Sequence, residues 1–121
     1  MTEKSNIVQE KSYEFSLDII NLYKELNCQK EYILSKQLLR SGTSIGANVE
    51  ESSAAQSTKD FISKMAIASK EARETNYWLR LLRDSKVVNN IDFAEIINDS
   101  EELIKIITSI VKTSQNKLRN S

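Results

Sequence analysis

A chain of 121 residues with a formal net charge of zero is long enough to bury one core and has no general pull toward a polyanion. Proline is absent and glycine occurs 2 times, which argues against a turn-rich β sandwich and for helices. One cysteine, Cys28, and no histidine rule out an intramolecular disulfide, a Cys/His zinc cluster and a Cys–His nucleophile pair.

The opening "MTEKSNIVQEKSYEF" has acidic residues and no apolar signal core, and no apolar run approaches a membrane span, so a cytoplasmic protein without a membrane partner is expected. Helix one is predicted from about Ser5 to Asn27. Val8, Phe15, Ile19, Leu22 and Leu26 recur there at threes and fours, with Ile20 and Tyr23 widening the stripe. Ser35 is then placed as the N-cap of helix two, about Lys36 to Ala55, with Leu34, Leu38, Ile45 and Val49 as its apolar face.

Ser57 and Asp60 form a capping-box-like signal for helix three, about Thr58 to Ser85. Phe61, Met65, Ala68, Ala72, Thr75, Leu79 and Leu82 alternate fours and threes, a bundle-type heptad seam. Asp92 with Glu95 signals helix four, predicted over about 92–118, with Ile96, Leu103, Ile107 and Ile110 inward. The final "KLRNS" is expected to fray. Short connections between long helices predict a single all-α domain over 1–121, an antiparallel up-down-up-down four-helix bundle.

Both glycines fall in "RSGTSIGANVEES", inside the periodic stretch of helix two. Each costs about 1 kcal/mol against alanine in a helix, so a close helix contact is expected to offset it. With helices two and three folded as a hairpin, position numbers at equal height total about 114. That register sets Gly42 against Ala72 and Gly46 against Ala68. It also sets Arg40 level with Glu74 and Ser44 level with Lys70 and Glu71, with Asn48 near Ala66. A buried or interfacial network of Arg40, Asn48, Glu51, Lys70, Glu71 and Glu74, with Arg40 paired to Glu74 or Glu71 and largely shielded from water, is expected to fix helix register.

"QLLRSGTSIGANVEES" followed by "KDFISKMAIASKEARETNYWLRLL", from about Ser35 to Leu82, resembles the bacterial four-helix-bundle proteins related to those encoded in intervening sequences of large-subunit ribosomal RNA genes. Arg40, Ser44, Ile45, Asn48, Glu51, Lys70, Glu71, Glu74, Tyr77, Trp78 and Leu79 match the family pattern. Many members have glycine after the Glu51 position; Ser52 stands here, so helix two is expected to continue through it. The resemblance implies a cyclic homo-oligomer, most naturally a pentamer. A relative serves diversity-generating retroelements as an accessory protein that binds RNA and a reverse transcriptase.

Three functional classes compete. The first is a non-enzymatic oligomeric interaction or scaffold protein that needs no cofactor. Residues 58–90 carry seven basic and four acidic side chains, against three and five in residues 1–28, so an RNA or DNA contact is expected on helix three. Its candidate stripe is Arg73, Asn76, Arg80 and Arg83, spaced three, four and three. The second is an accessory subunit for a protein partner such as a reverse transcriptase. The third is a carboxylate-metal enzyme using Glu51, Glu71 and Glu74, disfavoured because ferritin-like sites need Glu-x-x-His pairs. Finally, Tyr13, Leu17, Ile20, Tyr23, Ile67, Trp78 and Leu81 lie outside the core stripes and are expected to supply a subunit contact.

Overall fold

The local chemistry around Ser57 starts the longest helix. Ser57 is extended (φ −153°, ψ 165°), and its hydroxyl accepts the Asp60 N–H at 3.1 Å. Asp60 reaches back to the N–H of Gln56 at 3.4 Å, one residue beyond the Ser57 N–H of the ideal reciprocal bond. The computed structural model describes residues 3–120, with side-chain surroundings from residue 6. Its helices are α1 (Glu3–Cys28), α2 (Leu34–Ser52), α3 (Thr58–Ser85) and α4 (Ala94–Arg119), and no strand occurs among the described residues. α4 holds its helical form through Arg119, so most of "KLRNS" is helical.

Two helix ends depart from the sequence reading. Ser35 does not cap α2 but lies buried in its first turn. Glu31 takes over the capping: its carboxylate accepts the N–H of Ser35 at 2.7 Å and of Ile33 at 3.4 Å, and places negative charge at the helix N-terminus. At the other end α2 stops at Ser52 and does not reach Ala55. With no glycine to turn left-handed, the chain tightens into three i→i+3 bonds, the N–H groups of Ser53, Ala54 and Ala55 donating to the carbonyls of Glu50, Glu51 and Ser52. At the start of α4, Asp92 accepts the N–H of Ala94 at 2.9 Å, so the predicted signal acts two residues before the helix begins.

α2 packs on α3, α3 on α4, α1 on α2, and more thinly α1 on α4; α1 and α3 do not touch, nor do α2 and α4. The four helices therefore occupy the corners of a bundle. Positions rising along α2 meet positions falling along α3: Arg40 with Glu74, Glu51 with Lys64. Val8, Phe15, Ile19, Leu38, Ile45, Met65, Leu79, Leu103 and Ile107 are buried at the centre, joined by Ala68 and Ala72. Burying one such large side chain is worth about 1.5–3 kcal/mol.

Buried hydroxyls line the same core, and each is satisfied locally. Ser12, Ser35, Ser41, Ser52, Thr75 and Ser100 donate to backbone carbonyls three or four residues back. The hydroxyls of Ser41 and Thr75 also lie 2.9 Å apart, joining α2 to α3.

The glycines are helical, as the apolar period requires, but they face α1 and not Ala68 and Ala72. A Cβ on Gly42 would lie 2.8 Å from Ile19 Cγ1, and one on Gly46 would lie 3.2 Å from the Ser12 carbonyl oxygen and 3.1 Å from Ser16 Oγ. The reason is azimuth. Neighbouring residues on a helix point about 100° apart, so Ser41 meets Thr75 on α3 while Gly42 turns to Ile19 on α1.

At one end of the bundle Gln29 ties the α1–α2 and α3–α4 connections. Its amide donates to the Asn89 carbonyl at 2.7 Å and accepts the Asn89 N–H at 2.8 Å. The α1–α4 seam is acidic. Lys11 and Glu102 bridge it at 3.0 Å. Burial, then the charges of Glu95, Asp18 and Glu102, push the Asp99 carboxyl above its usual range.

Candidate interaction surface on the third helix

Because α3 is flanked by α2 and α4, its polar residues divide between two sides. On the α2 side Arg40 pairs with Glu71 at 3.2 Å and with Glu74, and Trp78 Nε1 donates to the same Glu74 carboxylate at 3.2 Å. The expected network is thus present in part. Glu51 pairs instead with Lys64 at 3.7 Å, Asn48 bonds the Ser44 carbonyl of its own helix at 2.9 Å, and exposed Lys70 makes no ion pair among the described residues.

The network is also wetter than expected. The side chain of Arg40 is 51% exposed, against 16% for Glu71. Lateral reach explains this: the guanidinium lies across the rim of the α2–α3 groove and does not enter it. Arg40→Ala is therefore expected to cost less than about 1 kcal/mol, a loss that shrinks further at high salt. Urea unfolding at two ionic strengths checks this; a loss above about 2 kcal/mol would restore the buried-network reading.

On the α4 side stand the residues of the candidate stripe. Arg73, Arg80 and Arg83 are exposed and Asn76 is half-buried. Arg73 reaches Thr108 Oγ1 at 3.4 Å, and Asn76 Nδ2 donates to Ser100 Oγ at 2.9 Å. Asn76 Oδ1 in turn accepts Arg80 Nε at 2.8 Å. The Arg80 guanidinium lies 5.9 Å from the centre of the Tyr77 ring, which meets Trp78 edge-on at 5.2 Å. Arg83 is held by Asp84 through two bonds of 2.7 and 3.1 Å, and these keep the Asp84 carboxyl below its ordinary value.

The stripe is therefore three exposed arginines against two neighbouring carboxylates, Asp84 and Glu101, with Asn76 as an inward anchor and not a contact residue. Ser100, Asn76, Arg80, Tyr77, Trp78, Glu74 and Arg40 form one continuous chain of contacts across α3. The Ser100 end of that chain was missed in the sequence, because a serine on the inner face of α4 gives no polar signal by spacing.

For a metal, Glu51 stands apart from Glu71 and Glu74, and no group of three His, Cys, Asp or Glu residues suited to an ion occurs among the described residues. Cys28 is exposed and free. No described helix is long and apolar enough to cross a membrane.

The family model described as 23S rRNA-intervening sequence protein matches residues 4–109. A solved structure from Bacteroides thetaiotaomicron VPI-5482, described as a protein of unknown function from the S23 ribosomal protein family, is 54% identical. The match covers 90% of this chain and 98% of that one, with a TM-score of 0.85. No curated protein matches the chain.

Proposed function

The chain belongs to the 23S rRNA-intervening sequence protein family, and on that basis we propose that it is a non-enzymatic interaction protein of the cytoplasm that assembles with itself and contacts RNA or DNA through α3. The bundle would be antiparallel, up-down-up-down, and the assembly a cyclic homo-oligomer, pentameric as the family resemblance implies. The observation that carries the nucleic-acid reading is the exposed stripe of Arg73, Arg80 and Arg83, with Arg80 held in place by Asn76 and Tyr77. Guanidinium groups ordered in this way suit phosphate oxygens, which position a protein on nucleic acid without reading sequence.

Three arginines make a weak site, and repetition around an assembly is what would make it useful. The assembled protein is expected to bind structured RNA or duplex DNA at low salt and to lose about tenfold or more in affinity on moving to near-physiological salt. Arg80→Glu with Arg83→Glu should abolish binding while leaving the circular dichroism spectrum unchanged, since both are exposed. Absence of binding at low salt would leave a protein partner, of the reverse-transcriptase kind the resemblance implies, as the better reading. Binding that survives the double reversal would place the contact elsewhere.

A further inference from the structure

We propose that the outward face of α1 is a docking surface for the outward face of α3 on a second copy of this chain. The inference rests on the self-assembly reading above and names the surfaces that would make it. On α1, Tyr13 and Leu17 are 62% and 47% exposed. They floor a shallow hollow of about 570 Å³ whose rim carries Glu10, Glu14 and, from α2, Glu50. None of the three carboxylates has an ion-pair partner among the described residues.

α3 carries the complement. Ile67 and Tyr77 stand exposed on its outward side with Lys70 between them in sequence. Glu74 is the natural i+4 partner of Lys70, but Arg40 and Trp78 draw it to the α2 side. Among the described residues Lys70 is left without a carboxylate partner, beside two apolar side chains. A cation flanked by apolar groups fits an apolar hollow rimmed with acids.

One chain cannot make this contact with itself, because α1 and α3 do not touch and occupy opposite corners of the bundle. A symmetric pairing of like faces is also disfavoured. Two α1 faces would bring two acid-rimmed hollows together, and two α3 faces would bring two unpaired lysines into one contact, like charge against like charge in both cases. Each copy therefore offers one hollow and one ridge, the head-to-tail arrangement that closes into a ring when the rotation allows. Arg73 leans toward α4, where it reaches Thr108, and stays outside the contact.

The test is solution mass by light scattering at micromolar concentration, on the whole chain and two variants. Leu17→Lys plants a cation in the hollow, and Lys70→Glu sets a carboxylate on the ridge. Both positions are exposed, so both variants should keep the wild-type helical signal and melting temperature. Each alone is expected to run as monomer, with self-affinity weakened about tenfold or more.

Mixed in equal amounts, they should regain association that neither shows alone, because the intact ridge of the first fits the intact hollow of the second. Arg73→Glu, on the α4 side of α3, should leave the mass unchanged. If both variants assemble like wild type, the surfaces are wrong and the self-assembly reading stands. A wild-type protein found only as monomer would overturn that reading and this inference with it.

Discussion

Gly42→Leu is expected to lower the unfolding free energy by about 3 kcal/mol, despite leucine's better helix propensity. The new side chain would enter space already held by Ile19, whose Cγ1 and Cγ2 lie 2.8 and 2.9 Å from where the Cβ would sit. Ile19 is wholly buried, so it has little room to yield. Gly46→Leu should be as costly, because the obstacle there includes the backbone carbonyl of Ser12. A double-mutant cycle identifies the partner helix. Ile19→Ala should relieve Gly42→Leu by about 1 kcal/mol or more, whereas Ala72→Gly should not relieve it at all. Rescue by the alanine change on α3 would return the glycines to the face that simple register assigned them.

Thr75→Val carries the second large effect, a loss of about 1–3 kcal/mol although the shape hardly changes. Thr75 and Ser41 are both wholly buried, and their hydroxyls lie 2.9 Å apart across the α2–α3 contact. Without Thr75, Ser41 keeps only a long 3.4 Å bond to the Leu38 carbonyl. The cost therefore comes mainly from a desolvated hydroxyl with a poor partner. Ser41→Ala combined with Thr75→Val should cost less than the two separate losses added together, which chemical denaturation of the four proteins in the cycle measures directly. Additive losses would show that the two hydroxyls act independently.

Both results bear on what could be read from sequence. α3 was legible to the residue, because its capping chemistry and heptad seam are local properties of consecutive side chains. The core members of α1 followed from the same periodicity, as did Leu103, Ile107 and Ile110 of α4, but the first core residue of α4 is Ile97 and not the expected Ile96, which is only partly buried. The orientation of the glycines did not. Hairpin register gives height along neighbouring helices, and Arg40 does meet Glu74 at the expected height. Height alone does not distinguish Ser41 from Gly42, whose directions lead to different helices.

The start of α2 was hidden for a related reason: its cap comes from the carboxylate of Glu31, four residues before the N–H of Ser35 it accepts. Of the candidate stripe, the exposure of Arg73, Arg80 and Arg83 was foreseeable from one helix. The inward turn of Asn76 depends on Ser100 of another.

The thin α1–α4 seam has a consequence for the order in which the molecule is made. Synthesis releases α1 first and α4 last, yet the apolar face of α1 needs both α2 and α4 to be covered. α2 can cover one flank as soon as it emerges, with the glycines admitting Ile19 and Ser16 closely. The other flank stays open to water until α4 leaves the ribosome. Closure then brings Asp99 toward Asp18, with Lys11 and Glu102 as the only ion pair across the joint among the described residues. A nascent chain stalled before α4 would display Phe15 and Leu22 uncovered, which makes the last helix the one that ends exposure to aggregation.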